Sequence, residues 1–229
     1  MDHTIEGAER SQNPATIAEQ YLNTEQGSDA WRQARVGKLT ASRLADAVAK
    51  TKTGWGASRA NLMAELIAER LTGVPAQGFT NAAMQWGTDT EPQARANYEF
   101  MKSYDVVEVG FVTHPLIPMS GASPDGLVGD IGLVEIKCPN TSTHIDTLLG
   151  GAVPSKYVTQ IQWQLACTGR AWCDFVSFDP RMPENMQLFV KRVTRDGDRI
   201  AELTDMAQKF LAELDDKLAR LQDAYRSAA

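Results

Sequence analysis

Leu44, Ala47 and Val48 follow Thr40 at the spacing of one helix face, with Thr40 as the cap. Leu62, Met63, Leu66, Ile67 and Leu71 repeat that spacing until Gly73 and Pro75 stop it. Between the two, TKTGWGAS (51–58) reads as a Gly- and Thr-rich loop around Trp55. A third helix is predicted from near Thr90. Pro92 suits a first turn, where N–H groups have no intrahelical partner, so Glu91 stands at the helix start with Ala94, Tyr98 and Met101 on one face. The pattern then changes period. VVEVGFVTHP, ASPDGLVGD and GLVEIKCP read as three short strands joined by turns. PSKYVTQIQWQLACTG returns to helical spacing and ends at Gly169, and AWCDFVSFDP and MQLFVKRVTR are two further strands. Ile200, Leu203, Ala207, Phe210, Leu211, Leu214, Leu218 and Leu221 mark a long amphipathic C-terminal helix. The fold class is α/β: a central mixed sheet flanked by helices in one domain over 26–229, after an N-terminal segment, 1–25, with no clear period.

Composition narrows the classes. With 43% hydrophobic and 23% charged residues in 229, the chain carries a sizeable core and is not disordered. No apolar run is long enough to span a membrane, and the acidic start MDHTIEGAER is unlike a signal peptide, so a cytoplasmic protein is expected. Cys138, Cys167 and Cys173 lack zinc or CxxC spacing and read as buried free thiols of a reducing compartment. Net charge is -6, yet residues 31–60 hold seven basic residues and one acid. Arg32, Arg35, Lys38, Arg43, Lys50, Lys52 and Arg59 therefore form a local basic stretch, either a polyanion site or a solvated face.

The chemistry concentrates in SPDGLVGDIGLVEIKCP (123–139). Side chains alternate along a strand, so Leu133, Glu135 and Lys137 share one face, with Glu135 and Lys137 expected to turn to a cleft with Asp125, and Val134, Ile136 and Cys138 share the other, which suits the core. A three-residue turn, Gly129-Asp130-Ile131, sets Val128 against Gly132 and Asp125 against Glu135; a two-residue turn, Gly129-Asp130, offsets that pair by one. Two opposed carboxylates repel unless a cation lies between them, and oxygen ligands without His or Cys favour Mg²⁺ or Mn²⁺. Lys137 beside such an ion can hold the attacking water or neutralise charge on a phosphoryl group. The alternative is a surface hairpin with a Glu–Lys pair.

The blocks WRQARVGKLTAS (31–42), QWGTDTEPQAR (85–95), SPDG (123–126), VEIKCP (134–139), TQIQWQLA (159–166) and FDPRM (178–182) stand in the order found in restriction-endonuclease-like nucleases. Together they resemble lambda exonuclease and the viral recombinase exonuclease family. The resemblance implies a metal-dependent, processive 5′-to-3′ exonuclease on linear double-stranded DNA, leaving 3′ overhangs for a single-strand annealing protein in phage-type recombination. It implies that Asp125, Glu135 and the main-chain carbonyl of Ile136 bind metal, that Glu91 serves a second ion, and that Lys137 and Gln160 hold the nucleophilic water. It implies that Arg35 and Ser42 grip a 5′-phosphate with Ser123 as a further contact, that Lys52 belongs with the DNA contacts, and that Met84 stands where the family places a wedge between terminal bases. It also implies a ring-shaped homotrimer. A structure- or sequence-specific endonuclease on the same core, or a catalytically silent DNA-binding or assembly protein, are the rival readings. Trp31, Trp86 and Trp163 are read as core residues, and His114 and His144 as satisfied loop histidines. No GxxxxGK[ST] motif is present, which argues against ATP-driven unwinding.

Overall fold

Strands form where the chain alternates or runs apolar with β-branched residues, and two buried clusters of such residues organise the molecule. The computed structural model describes residues 24–52, 54–76 and 81–226. Most of the expected N-terminal segment, residues 1–23, lies outside them. In chain order the helices are α1 (Asp29–Ala34), α2 (Ala41–Ala47), α3 (Ala57–Thr72), α4 (Ala82–Lys102), α5 (Thr141–Gly150), α6 (Ser155–Thr168) and α7 (Gly197–Arg226). The strands are β1 (Leu39–Thr40), β2 (Lys50–Thr51), β3 (Gly54–Trp55), β4 (Val106–Val107), β5 (Val112–His114), β6 (Ile117–Ala122), β7 (Gly126–Val128), β8 (Gly132–Lys137), β9 (Trp172–Phe178) and β10 (Leu188–Thr194).

A five-stranded mixed sheet runs in the order β10-β9-β8-β7-β4, with β8 and β9 parallel and the other pairs antiparallel. A second sheet, β1-β6-β5, lies beside it, and β2 and β3 form a small hairpin. Both faces of the large sheet are covered. Val134, Ile136 and Cys138 pack with Ala94 and Tyr98 of α4, while Leu133 and Phe175 join the larger cluster with α6 and α7. The α7 stripe is buried from Ile200 to Leu214, and no described helix is apolar and long enough to cross a membrane. The three cysteines are free and buried.

Four expectations change. Helix α4 starts at Ala82, where the Asn81 side chain accepts from the Met84 N–H, so Glu91 and Pro92 lie inside it rather than at its start. The polar run 85–91 hid that beginning, and Pro92 costs the Thr88 carbonyl its helical donor. Residues 51–58 include a hairpin strand rather than a plain loop. Helix α5 has no counterpart in the apolar pattern, because TSTHIDTLLG shows little period, although Asn140 caps it. The three strands expected between 106 and 139 are five, since Gly110 and Pro124 fall in breaks.

Candidate active site

The turn between β7 and β8 settles the hairpin register. Val128 pairs with Gly132, Leu127 with Leu133 and Gly126 with Val134, so the loop is the three-residue one, and the ladder continued by one position sets Asp125 opposite Glu135. Gly129 has φ +50, a conformation costly for other residues, and a Cβ on Gly132 would run into the Trp172 ring. Arg170, from the loop after α6, donates through Nη1 to the carbonyls of Gly129 (2.7 Å) and Gly132 (2.7 Å), and more weakly to Val128 (3.4 Å). The guanidinium thus clamps the turn from which the register is counted.

Glu135 is fully buried, which corrects the expectation that it faces an open cleft: its strand face is roofed by α6. A carboxylate survives there because donors surround it. Gln160 Nε2 donates to Oε1 at 2.6 Å and Gln164 Nε2 donates to Oε2 at 2.5 Å, while the Lys137 ammonium pairs with Oε1. Across the hairpin, Asp125 Oδ2 accepts from the Ile136 N–H at 2.6 Å. Burial, and then the neighbouring Glu135, push Asp125 well above the ordinary carboxylate range; Lys137 and the Ile136 N–H only partly offset them. Burial alone would pull Lys137 down, but Glu135 and Asp125 raise it above its ordinary value. Asp125 and Gln160 are part-buried, and Lys137 reaches solvent.

It does so at the floor of an open cleft of about 620 Å³, between α4 and the start of α6, lined by Glu91, Met84, Ile136, Lys137, Lys156 and Tyr157. Tyr157 stacks on Phe175 (centroids 5.3 Å apart) and lies between two ammoniums, Lys137 at 5.4 Å and Lys156 at 4.7 Å from its ring centroid. Glu91 enters from α4 with Oε1 bound to Arg95 Nη2 at 2.8 Å, and Arg95 also pairs with Glu108. Burial raises Glu91, against the pull of Arg95.

The donor set fits a hard cation at Asp125 and Glu135: two acids face each other, and burial, then the charge of Glu135, drive Asp125 toward its protonated form, which a divalent ion between them would relieve. Glu91 does not join them. It is engaged by Arg95, and no three His, Cys, Asp or Glu side chains among the described residues are gathered closely enough to hold an ion. An ion here would need the main chain or water to complete its shell.

A second cavity, about 490 Å³, opens beside the first and brings together Arg35, Lys38, Ser42 and Met84. The Arg35 guanidinium lies 3.9 Å over the Trp31 ring and donates to Ser123 Oγ at 3.2 Å; Trp31 Nε1 donates to the same oxygen at 2.9 Å. Burial lowers Arg35 to about 10, with Glu69 partly opposing. Thr40 Oγ1 and Ser42 Oγ are 3.3 Å apart. Met84, 56% exposed, lines both cavities. Lys52 is not brought to either; it stands on the exposed turn of the β2–β3 hairpin.

The basic stretch divides in two. Arg32 pairs with Asp29, Arg43 with Glu65 and Asp46, and buried Arg59 with Glu213, while Arg35 and Lys38 form no ion pair among the described residues. Trp163 is core, whereas Trp31 supports the cavity and Trp86 carries Arg181 at 4.4 Å above its ring. His114 and His144 are satisfied, but in β5 and α5 rather than in loops: His114 stacks on Trp163, and His144 bonds Ser177 Oγ and the Met186 carbonyl, each at 2.8 Å. Tyr157, Lys156, Lys38 and Arg170 were not singled out from the sequence as site residues. Tyr157, Gln160 and Gln164 share one helical face, a spacing that points to Tyr157; Arg170 has no such signal.

Comparison with known proteins places this arrangement. The chain is 51% identical, over 88% of its length and all of the other's, to an alkaline exonuclease, LHK-Exo of Laribacter hongkongensis, with a TM-score of 0.82. The structure of LHK-Exo with dAMP gives 52% and 0.83 over 88% of this chain and 100% of that one. A phage-related exonuclease of Haemophilus somnus 129PT, at 16% identity and TM-score 0.61 over 89% and 99% of the two chains, shares the fold. No curated protein sequence matches. Residues 30–171 match the YqaJ-like viral recombinase domain, and they hold both cavities and the whole acid–lysine hairpin: the chain belongs to that family.

Proposed function

We propose that the chain is a Mg²⁺-dependent exonuclease that hydrolyses linear duplex DNA from 5′ ends, processively, leaving 3′ single strands for an annealing protein in phage-type recombination. The observation that carries this reading is the Asp125–Glu135–Lys137 hairpin, whose Glu135 is held by Gln160 and Gln164 and whose Lys137 lines an open cleft, in a chain half identical to an alkaline exonuclease.

Asp125, Glu135 and the Ile136 carbonyl would hold Mg²⁺ or Mn²⁺, with Glu91 serving a second ion once released from Arg95. Such an ion activates water and offsets charge on a phosphoryl group. Gln160 and Gln164 fix the Glu135 carboxylate, each through one amide donor, so that its position is set before substrate arrives. Lys137 stays protonated while it alone neutralises Glu135, and in that state it donates to the attacking water or to a phosphoryl oxygen. It becomes a base only when the negative charge of the two acids is shared with another cation. In the second cavity Arg35, Ser42 and Ser123 would grip the 5′-terminal phosphate, with Met84 between the cavities as a wedge against the terminal base pair. A ring of three copies would keep the enzyme on its substrate despite the net charge of -6.

Linear duplex labelled at its 5′ or 3′ ends, digested with and without Mg²⁺, tests the reading. Early release of the 5′ label as mononucleotide only with Mg²⁺ is expected. Equal degradation of covalently closed circles would overturn it.

A further inference from the structure

The cavity beside the cleft holds more positive charge than its own acids use. Two carboxylates line it, and both are engaged elsewhere: Glu65 binds Arg43 through both oxygens (2.7 and 3.1 Å), and Glu69 accepts from the N–H groups of Gly37 (2.7 Å) and Ala76 (2.8 Å). Arg35 remains, and so does Lys38, whose Nζ sits 5.2 Å from the centroid of the Phe111 ring with no ion pair among the described residues. Lys38 is half-buried on the turn leading into β1, and burial lowers it from its ordinary value, with no acid compensating. Two partly desolvated cations that line one cavity favour an anion carrying two charges over one carrying a single charge.

A 5′-terminal phosphomonoester carries nearly two negative charges at neutral pH, with its second ionisation near 6. An internal phosphodiester carries one. We propose that Lys38 is the specificity-determining residue that tells a dianionic 5′-terminal phosphate from a singly charged one, acting as the second cation beside Arg35. This rests on the reading of the cavity as the 5′-phosphate site. Arg35, held by Ser123 and the Trp31 face, supplies the directed hydrogen bonds; Lys38 supplies a point charge.

The test uses the full chain and three linear duplexes ending in 5′-phosphate, 5′-O-methyl phosphate or 5′-hydroxyl, comparing kcat/KM ratios for wild type, Lys38→Met, Lys38→Arg and Arg35→Ala. Lys38→Met is expected to lower the phosphate to methyl-phosphate ratio about tenfold, Lys38→Arg to restore most of it, and Arg35→Ala to lower the phosphate to hydroxyl ratio. An unchanged phosphate to methyl-phosphate ratio in Lys38→Met overturns the assignment of Lys38. If Arg35→Ala also leaves the phosphate to hydroxyl ratio unchanged, the cavity is not a 5′-phosphate site at all, and the two failures are thereby told apart. Circular dichroism checks the folds, and Lys38→Gln carries the same comparison should Lys38→Met not fold.

Discussion

Around Glu135 the charges have partners inside the protein; around Arg35, two cations form no ion pair among the described residues. The first region is closed on itself. Amides from α6 and an ammonium from β8 hold a carboxylate that is wholly out of water. The second is open, and its own acids are turned toward other donors. A buried acid must be paired to exist at all, so its neighbourhood is assembled in advance. A half-buried arginine or lysine can keep its charge at a cavity wall, and so can be left for an anion from outside. The contrast teaches that one region is built to keep its geometry and the other to take up charge. Met84 lies on the border between them.

The contrast can be broken most severely at the closed region. Asp125→Asn or Glu135→Gln is expected to reduce Mg²⁺-dependent hydrolysis to background in a duplex-digestion assay while the circular dichroism spectrum is kept; an active variant would remove the proposed site. Lys137→Ala is expected to lower the chemical step about 10²- to 10⁴-fold in single-turnover kinetics with Mn²⁺ binding retained. Near-normal turnover would make Lys137 a charge partner of Glu135 and nothing more.

The open region responds differently. Arg35→Ala is expected to lower the preference for a 5′-phosphate over a 5′-hydroxyl about ten- to a hundredfold, leaving Mg²⁺ dependence as in wild type. Equal loss on both ends would mean general electrostatics rather than a grip on one phosphate.

Arg170 sharpens the comparison from a distance, because it touches neither region. Arg170→Ala removes the clamp on the β7–β8 turn. Thermal melts are expected to show a loss of about 1–2 kcal/mol, and the Mg²⁺ concentration for half-maximal activity is expected to rise severalfold while end preference is unchanged. A change in end preference would show that the two regions are not independent.

A last effect, read only as pH falls, belongs to a buried group outside both cavities. His114 stacks on Trp163, whose Nε1 donates to Ser120, which donates to the Leu39 carbonyl. Burial, and then the charge of Arg195, lower His114 to about 4. Since the unfolded imidazole titrates near 6.5, the unfolded chain binds the extra proton first. Its contribution, on the order of 3 kcal/mol at most, is fully present above pH 6.5 and is lost progressively toward pH 4. Melting temperature against pH, compared with His114→Gln, measures it. A difference between the two profiles confined to pH above 7 would exclude His114 as its source.

Much of the site was legible in the chain because it is local. Asp125, Glu135 and Lys137 belong to one hairpin, whose turn chemistry offered only two registers, and Gln160 and Gln164 lie one helical turn apart. The alternation of β8 also placed Val134, Ile136 and Cys138 on a core face correctly. Alternation says which residues share a face, but not what covers it. That Glu135 is buried under α6, rather than open to a cleft, follows from the parallel pairing of β8 with β9 and the packing of the second of the two helices between them. The start of α4 escaped for a related reason: its first turns carry few apolar residues, and a proline further along resembled a beginning.

The sequence by itself determined the helix and strand periods, the two acids and the lysine, and the local concentration of basic residues. Tertiary structure alone decided which of those basic residues keep an acid partner, which helix closes over Glu135, and that Arg170 holds a turn forty residues away in the chain. The physical reason is that period and residue type are local properties. Desolvation and charge pairing instead depend on every atom within a few ångströms, whatever its distance along the chain.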